Sequence, residues 1–266
     1  MHHINRFSTF KMISKNKIKY IRSLEQKKNR DALGVFVAEG PKVVGDIMAR
    51  YPSKLKKLIA TEEWLSAHAK DIAPDCEVTA ADSSELTKAS FLCHPQQVMA
   101  VFEKLDSGTT ATASRDTLTL VLDGVQDPGN LGTIVRIADW FGIENIVCSR
   151  DTADVYNPKV VQATMGSIAR VSVTYTLLDD FFSSIPSDIP VYGTLLEGDN
   201  MYRTELTRGG IIVMGNEGKG ISPEIRRRVT HALRIPNYPE QRETADSLNV
   251  AIATAVVCAE FRRSQH

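Results

Sequence analysis

The sequence predicts an α/β protein of two domains: a small α/β domain over residues 14–105, after an N-terminal extension at 1–13, and a doubly wound, parallel-sheet domain over 118–266. Three observations carry this prediction. The chain has 266 residues, 42% apolar and 24% charged, which is ordinary globular composition and enough for one large or two modest cores. Its only low-complexity stretch, DSGTTATASRD, lacks any large apolar residue and reads as a linker over 106–117. On both sides short apolar runs alternate with helix-like segments, and after the linker most of those runs are continuous, as in strands covered on both faces.

Taken in order, Ile18, Ile21 and Leu24 recur at helical spacing among cations, so 14–30 is expected to be an amphipathic helix with a basic outer face. Strands follow at 35–38, 57–60, 76–79 and 98–102, with helices near 41–50, 62–70 and 82–88. Beyond the linker, strands are expected at 118–123, 144–148, 171–174, 190–195, 210–214 and 232–235. Helices fit between them at 130–141, 158–166, 177–184, 222–229 and 247–263. In such a sheet, ligand sites are expected where loops leave the carboxyl ends of the strands.

The 32 Lys and Arg balance 32 Asp and Glu, which argues against a polycation held to nucleic acid by bulk charge. The balance is uneven along the chain. Residues 1–30 carry nine cations against Glu25 alone, a net of +8, while 31–117 and 118–266 carry −4 each. Such a basic run is either a solvated helix face or a contact for phosphates. The longest apolar stretch, Val250–Ala259, is too short for a membrane span, and the N-terminus lacks the apolar core of a secretory signal. The four cysteines are scattered and the histidines do not join them at ligand spacing, so reduced thiols, a cytoplasmic location and no metal are expected.

Three strand-to-helix junctions carry residues suited to chemistry. In the first, DGVQDPGNLGTIVR at 123–136, Asn130 reads as the helix N-cap, and Arg136 follows about 1.7 turns later, able to reach back toward the loop. A capped helix with a solvent-facing arginine would give the same pattern, but a cation within the apolar segment 134–138 needs a partner. The second, MGNEGKGIS at 214–222, directly follows a strand, and its three glycines let backbone approach a ligand. It is not a Walker A loop, there is no GxGxxG in the chain, and Glu217 suits an arginine, a hydroxyl or a cationic ligand better than a phosphate. An ordinary glycine turn is the alternative. In the third, 235–250, Ser247 reads as the N-cap of the last helix and Asn249 as a hydrogen-bonding residue inside its first turn.

NLGTIVR, MGNEGKGIS and SLNVAIATA, in that order, resemble the three motifs of the SpoU (TrmH-like) branch of the SPOUT RNA methyltransferases. VFVAEGPKVVG at 35–45 resembles the start of the substrate-binding domain that precedes the catalytic domain in many members, so the resemblance spans nearly the whole chain from about Ser14. It implies a trefoil-knotted methyltransferase domain preceded by a small ribosomal-protein-like RNA-binding domain. It also implies S-adenosylmethionine as cofactor, a homodimer, and methyl transfer to a ribose 2′-hydroxyl of RNA, ribosomal rather than transfer RNA. Carried onto this sequence, Arg136 is the arginine implicated in activating the hydroxyl, with Asn130, Glu217, Ser247 and Asn249 in the accompanying polar positions. The backbones of Gly215, Ile235 and Leu248 match positions that hold the cofactor, and Thr194 begins a loop beside it. Between Ile235 and Leu248 the chain is a few residues longer than compact members, so that loop is expected to differ in shape.

An arginine is a poor formal base. Arg136 is therefore expected to hold the RNA phosphate and ribose oxygen with its forked donors, stabilising charge as the proton departs. Beside such a motif set the basic N-terminus reads as a guide for RNA. Two alternatives stay open: an RNA-binding protein that kept the fold without the reaction, which would not bind the cofactor, and an enzyme that methylates a base, which nucleoside analysis of the product separates.

Overall fold

The computed structural model describes residues 13–105, 113–239 and 242–263. The expected extension, apart from Ile13, and residues 106–112 of the expected linker lie outside the described residues. The described chain forms two compact units, 13–105 with 156–169, and 113–155 with the residues from 170 onward.

The first unit begins with α1 (Lys15–Ser23) and α2 (Lys27–Leu33), followed by β1 (Val35–Glu39), α3 (Pro41–Arg50), β2 (Leu55–Ala60), α4 (Glu62–Ala67), β3 (Glu77–Ala80), α5 (Ser83–Ala89) and β4 (Val98–Glu103). The sheet order is β1-β4-β2-β3; β4 runs antiparallel to both neighbours and β3 parallel to β2. Ile21 and Leu24 are fully buried against Val37, Val101 and Leu86, so the helical spacing seen in the sequence does mark a core face.

The expected single helix over 14–30 is instead two. The chain turns at Leu24–Gln26, and Arg30, only 1% exposed, donates from Nη1 to the carbonyls of Leu24 and Glu25, each at 2.7 Å. These carbonyls lie just past the end of α1, where intrahelical donors run out, and a charged donor satisfies them. Arg30 thus belongs to the interior and not to a basic outer face.

The second unit supplies β5 (Leu118–Asp123), α6 (Pro128–Trp140) and β6 (Asn145–Ser149); α7 (Pro158–Ala163) then lies against β1 in the first unit. There follow β7 (Ser172–Thr176), α8 (Leu178–Ser184), β8 (Val191–Asn200), β9 (Gly210–Gly215), α9 (Pro223–Arg226), β10 (His231–Arg234) and α10 (Val250–Arg263). Six strands in the order β10-β8-β9-β5-β6-β7 pair in parallel throughout, around a core that includes Val121, Val147, Ile211 and Val213. The register sets Asp123 opposite Gly215 and Leu122 opposite Cys148, so the carboxyl ends of β9, β5 and β6 open side by side.

β8 is longer than the expected 190–195 and irregular. Ala232 of β10 pairs with Gly193, but the next residue, Leu233, pairs with Asp199, leaving Thr194–Gly198 outside the ladder. The chains touch backbone to backbone at Gly198, where a Cβ would sit 2.8 Å from the Ala232 carbonyl oxygen. Among the described residues no helix is long and apolar enough to cross a membrane, and no cluster of His, Cys, Asp or Glu could hold a metal ion.

Candidate active site at the carboxyl edge of the parallel sheet

From the end of β5 the chain reaches α6 through Gly124–Asp127. The N-cap of α6 is Asp127, whose side chain accepts from Asn130 N at 2.8 Å, with Pro128 at the first helical position. Asn130 was expected in that role; in the first turn instead, its side chain is released from capping. The cap of α10 moves as well. Asn249 accepts from Ala251 N at 3.0 Å and Ile252 N at 3.3 Å, and takes the capping role expected of Ser247.

These two shifts line up three of the expected site residues. Asn249 Oδ1 is occupied by the helix end, so its amide nitrogen faces outward and donates to Asn130 Oδ1 at 2.9 Å. The Asn130 amide nitrogen then donates to Glu217 Oε1 at 3.0 Å. Gln126 N and Asp127 N add bonds to the same carboxylate, each at 3.3 Å. A carboxylate that only accepts fixes the sense of the whole chain of bonds. Burial works to raise the Glu217 pKa, but the donors from Asn130 and the surrounding backbone outweigh it and hold the carboxyl below its usual range.

A second set of bonds, not legible in the sequence, braces the loops beneath. Asn216 donates to Gly124 O at 2.6 Å and accepts from Gly218 N and Lys219 N, both at 3.0 Å. Ser149 Oγ accepts from Gly124 N at 2.9 Å and donates to Asp151 at 2.6 Å, while Asp123 receives Ser222 N at 2.7 Å. A Cβ at Gly215 would collide with the backbone of Gly220 and Ile221, so the hairpin 215–221 closes only with glycine there.

Arg136 is not drawn into this network. Leu131, Ile134, Val135 and Ala138 form the packed face of α6, and Arg136 is exposed, about 9 Å along the helix from Asn130. Among the described residues its side chain makes no hydrogen bond or ion pair. Contrary to the expectation from sequence, Arg136 needs no partner within the protein: the segment 134–138 is apolar on one face only, and Arg136 occupies the other.

The expected cofactor residues lie on neighbouring strand ends. Thr194 Oγ1 donates to Val213 O at 3.1 Å, which ties the excursion from β8 to the end of β9, where Gly215 lies. Ile235 is the first residue after β10, and Ser247 and Leu248 are exposed just before the Asn249 cap. In the longer loop between them, Asn237 Nδ2 donates to Arg242 O and Arg242 N donates to Pro239 O, both at 2.9 Å; Glu240 and Gln241 lie outside the described residues.

Residues 117–259 match the SpoU rRNA methylase family, and residues 15–100 match the MRM3-like substrate-binding domain. The chain is 29% identical over 249 residues to the 23S rRNA (guanosine(2553)-2′-O)-methyltransferase RlmP of Bacillus subtilis, covering 92% of this chain and 96% of that protein. A solved TrmH-family protein from Porphyromonas gingivalis superposes with a TM-score of 0.81 at 41% identity, over 95% of this chain and 99% of that one. The S-adenosylmethionine-bound rRNA methyltransferase of Sinorhizobium meliloti gives a TM-score of 0.82 at 30% identity, over 96% and 97%.

Proposed function

The chain belongs to the SpoU rRNA methylase family, and from that premise we propose that it transfers a methyl group from S-adenosylmethionine to a ribose 2′-hydroxyl of structured ribosomal RNA in the cytoplasm. The observation that carries the reading is the Asn249–Asn130–Glu217 chain of hydrogen bonds, which braces the helix bearing an unengaged Arg136.

The residues present suit the cofactor. Thr194–Gly198 lie outside the strand ladder, and with Gly215, Ile235 and Leu248 they offer backbone donors and acceptors of the kind that read an adenine ring. When bound, S-adenosylmethionine supplies an electrophilic methyl carbon on a sulfonium. The remaining work falls to the protein: aligning a weakly nucleophilic hydroxyl and easing the loss of its proton.

Arg136 uses its planar fork to hold a phosphate and the ribose oxygen, countering the negative charge that develops as the proton leaves. It stays protonated throughout and acts by charge and position. Glu217 and Asn130 fix the start of α6 and so the setting of Arg136; Asn249 joins α10 to them, and Ser247 lies on the approach to that cap. The close passage of β10 past Gly198 supports reading this unit as the threaded trefoil of the family.

The unit also pairs with a second copy of this chain through α6 and α10. These helices run side by side, tied at their starts by Asn130 and Asn249 and at their ends by Arg262 Nε to Phe141 O at 2.8 Å. Trp140, 84% exposed, and Ile252, 54% exposed, lie on them. Light scattering tests this: Trp140→Glu shifts a dimer toward monomer, and an unchanged mass contradicts the pairing.

The test of the reaction is methyl transfer from radiolabelled S-adenosylmethionine to ribosomal RNA by Arg136→Ala. The variant loses transfer by at least about 100-fold while calorimetric titration with the cofactor is unaltered. A variant with wild-type activity removes Arg136 from the mechanism. Failure of the wild type to bind the cofactor would leave an RNA-binding protein of the same fold.

A further inference from the structure

We propose that Arg150 and Lys219 bind backbone phosphates of the RNA substrate on either side of the loop from β5 to α6. The proposal rests on the reading of this unit as an RNA-modifying domain and names where the substrate backbone is held.

Several cations of this unit are paired within the protein: Arg170 with Asp139, Arg226 with Glu197, Arg228 with Asp179 and Arg263 with Glu260. Arg150 and Lys219 are exposed and make no hydrogen bond through their side chains and no ion pair among the described residues. Among the described residues Arg203, Arg227 and Arg242 share that freedom, but none of their segments is bonded to the Gly124 turn. What distinguishes Arg150 and Lys219 is how they are mounted.

Both sit on backbone fastened to the same turn. Asn216 grips Gly124 O with its amide nitrogen and Lys219 N with its amide oxygen, which fixes the base of the lysine. Ser149, the residue before Arg150, grips Gly124 N and is tied in turn to Asp151. Since β9 and β6 are the two neighbours of β5, the two cations flank the β5–α6 loop from opposite sides. Arg136 stands on the helix that follows that loop.

The carboxylates along the same edge do not cancel this charge by pairing with it. Asp123 receives Ser222 N, Asp127 receives Asn130 N, Asp151 receives the Ser149 hydroxyl, and Glu217 receives Asn130 and two backbone amides. Each acid is engaged by neutral donors of the protein, so the cations are left to an outside anion. An RNA backbone supplies anions at a regular spacing, and fixed cations there cost less ordering on binding than free side chains on a mobile loop.

The experiment measures binding of a fluorescein-labelled RNA hairpin across a salt series, for wild type, Arg150→Ala, Lys219→Ala, the double variant and Arg170→Ala. Each of the first two substitutions lowers the slope of log affinity against log salt by about 0.7 to 0.9, the double by about twice that. Arg170→Ala leaves the slope alone, and cofactor affinity is unchanged in all. Charge-retaining Arg150→Lys and Lys219→Arg restore most of the slope. Wild-type slopes in the double variant, with RNA still bound, overturn the proposal and leave the methyltransferase reading standing. A fall in cofactor affinity without a change in slope overturns it in favour of cofactor binding at these residues. No RNA binding by the wild type overturns both.

Discussion

The helical pair α1–α2 and the carboxyl edge of the six-stranded sheet both carry Lys and Arg, but the protein engages most of the cations of the first and leaves those of the second free among the described residues. In α1–α2, Lys17 reaches Glu77 at 2.7 Å, Lys27 reaches Asp31 at 2.7 Å, Arg22 donates to Ser90 O and lies over the Phe91 ring, and Arg30 is buried. Lys17 and Lys57 hold the Glu77 carboxyl below its usual range, and Lys104 and Lys27 do the same for Asp31. Among the described cations of this region only Lys15, Lys19 and Lys28 make no side-chain hydrogen bond or ion pair. At the sheet edge the reverse holds: the acids are engaged by the protein, and Arg136, Arg150 and Lys219 are not. Net charge along a sequence locates cations but does not say which of them are available to a ligand.

That contrast can be broken by substitution. The largest effect is expected at Arg30. Arg30→Ala strands two carbonyls that accept charge-assisted bonds and empties a packed site, for a loss of about 3 kcal/mol, whereas Lys28→Ala stays within about 0.5 kcal/mol. Chemical denaturation compares them, and equal midpoints would show that Arg30 is not structural.

Next is Glu217→Gln, which places an amide where Asn130 and two backbone amides all need an acceptor; kcat drops on the order of 100-fold with little change in cofactor affinity. Acid stability gives a second readout. Because the folded-state pKa of Glu217 is depressed, its stabilisation is complete above the unfolded value and is lost as pH falls through the folded one. Wild type therefore loses more stability on acidification than Glu217→Gln, and identical acid limbs would contradict the assigned hydrogen bonds. The smallest effect belongs to Lys15, Lys19 and Lys28 changed together to alanine: the melt is unmoved and the salt slope of RNA binding falls by less than about 1. A loss of affinity larger than that of the Arg150/Lys219 double variant would reverse the ranking of the two regions.

Much of this is legible in the sequence, and the exceptions have two causes, local capping signals and tertiary contacts. Every expected strand forms, and for strands such as LTLVLD and GIIVMG the continuous apolar run leaves little choice about what is buried. The two helix starts were misplaced for local reasons: the Asp127-Pro128 pair signals a cap three residues before Asn130, and Asn249 stands closer to the apolar run than Ser247. The break between α1 and α2 has no glycine or proline to announce it; it depends on a tertiary contact from Arg30. The excursion at Thr194–Gly198 likewise depends on β10, more than thirty residues downstream. The family resemblance names Asn130, Glu217 and Asn249, which the fold joins by hydrogen bonds, but nothing in the sequence points to Asn216, Ser149 or Asp123, whose partners lie on other strands.

Whether the protein methylates a ribose is decided by the chemistry of its product. Ribosomal RNA lacking the modification is incubated with the protein and S-adenosylmethionine carrying a labelled methyl group, digested to nucleosides and analysed by mass spectrometry. The label is expected on a ribose, as a 2′-O-methylated nucleoside at a single position, absent with Arg136→Ala. Label on a base, or cofactor bound with no label transferred to any RNA, would contradict it.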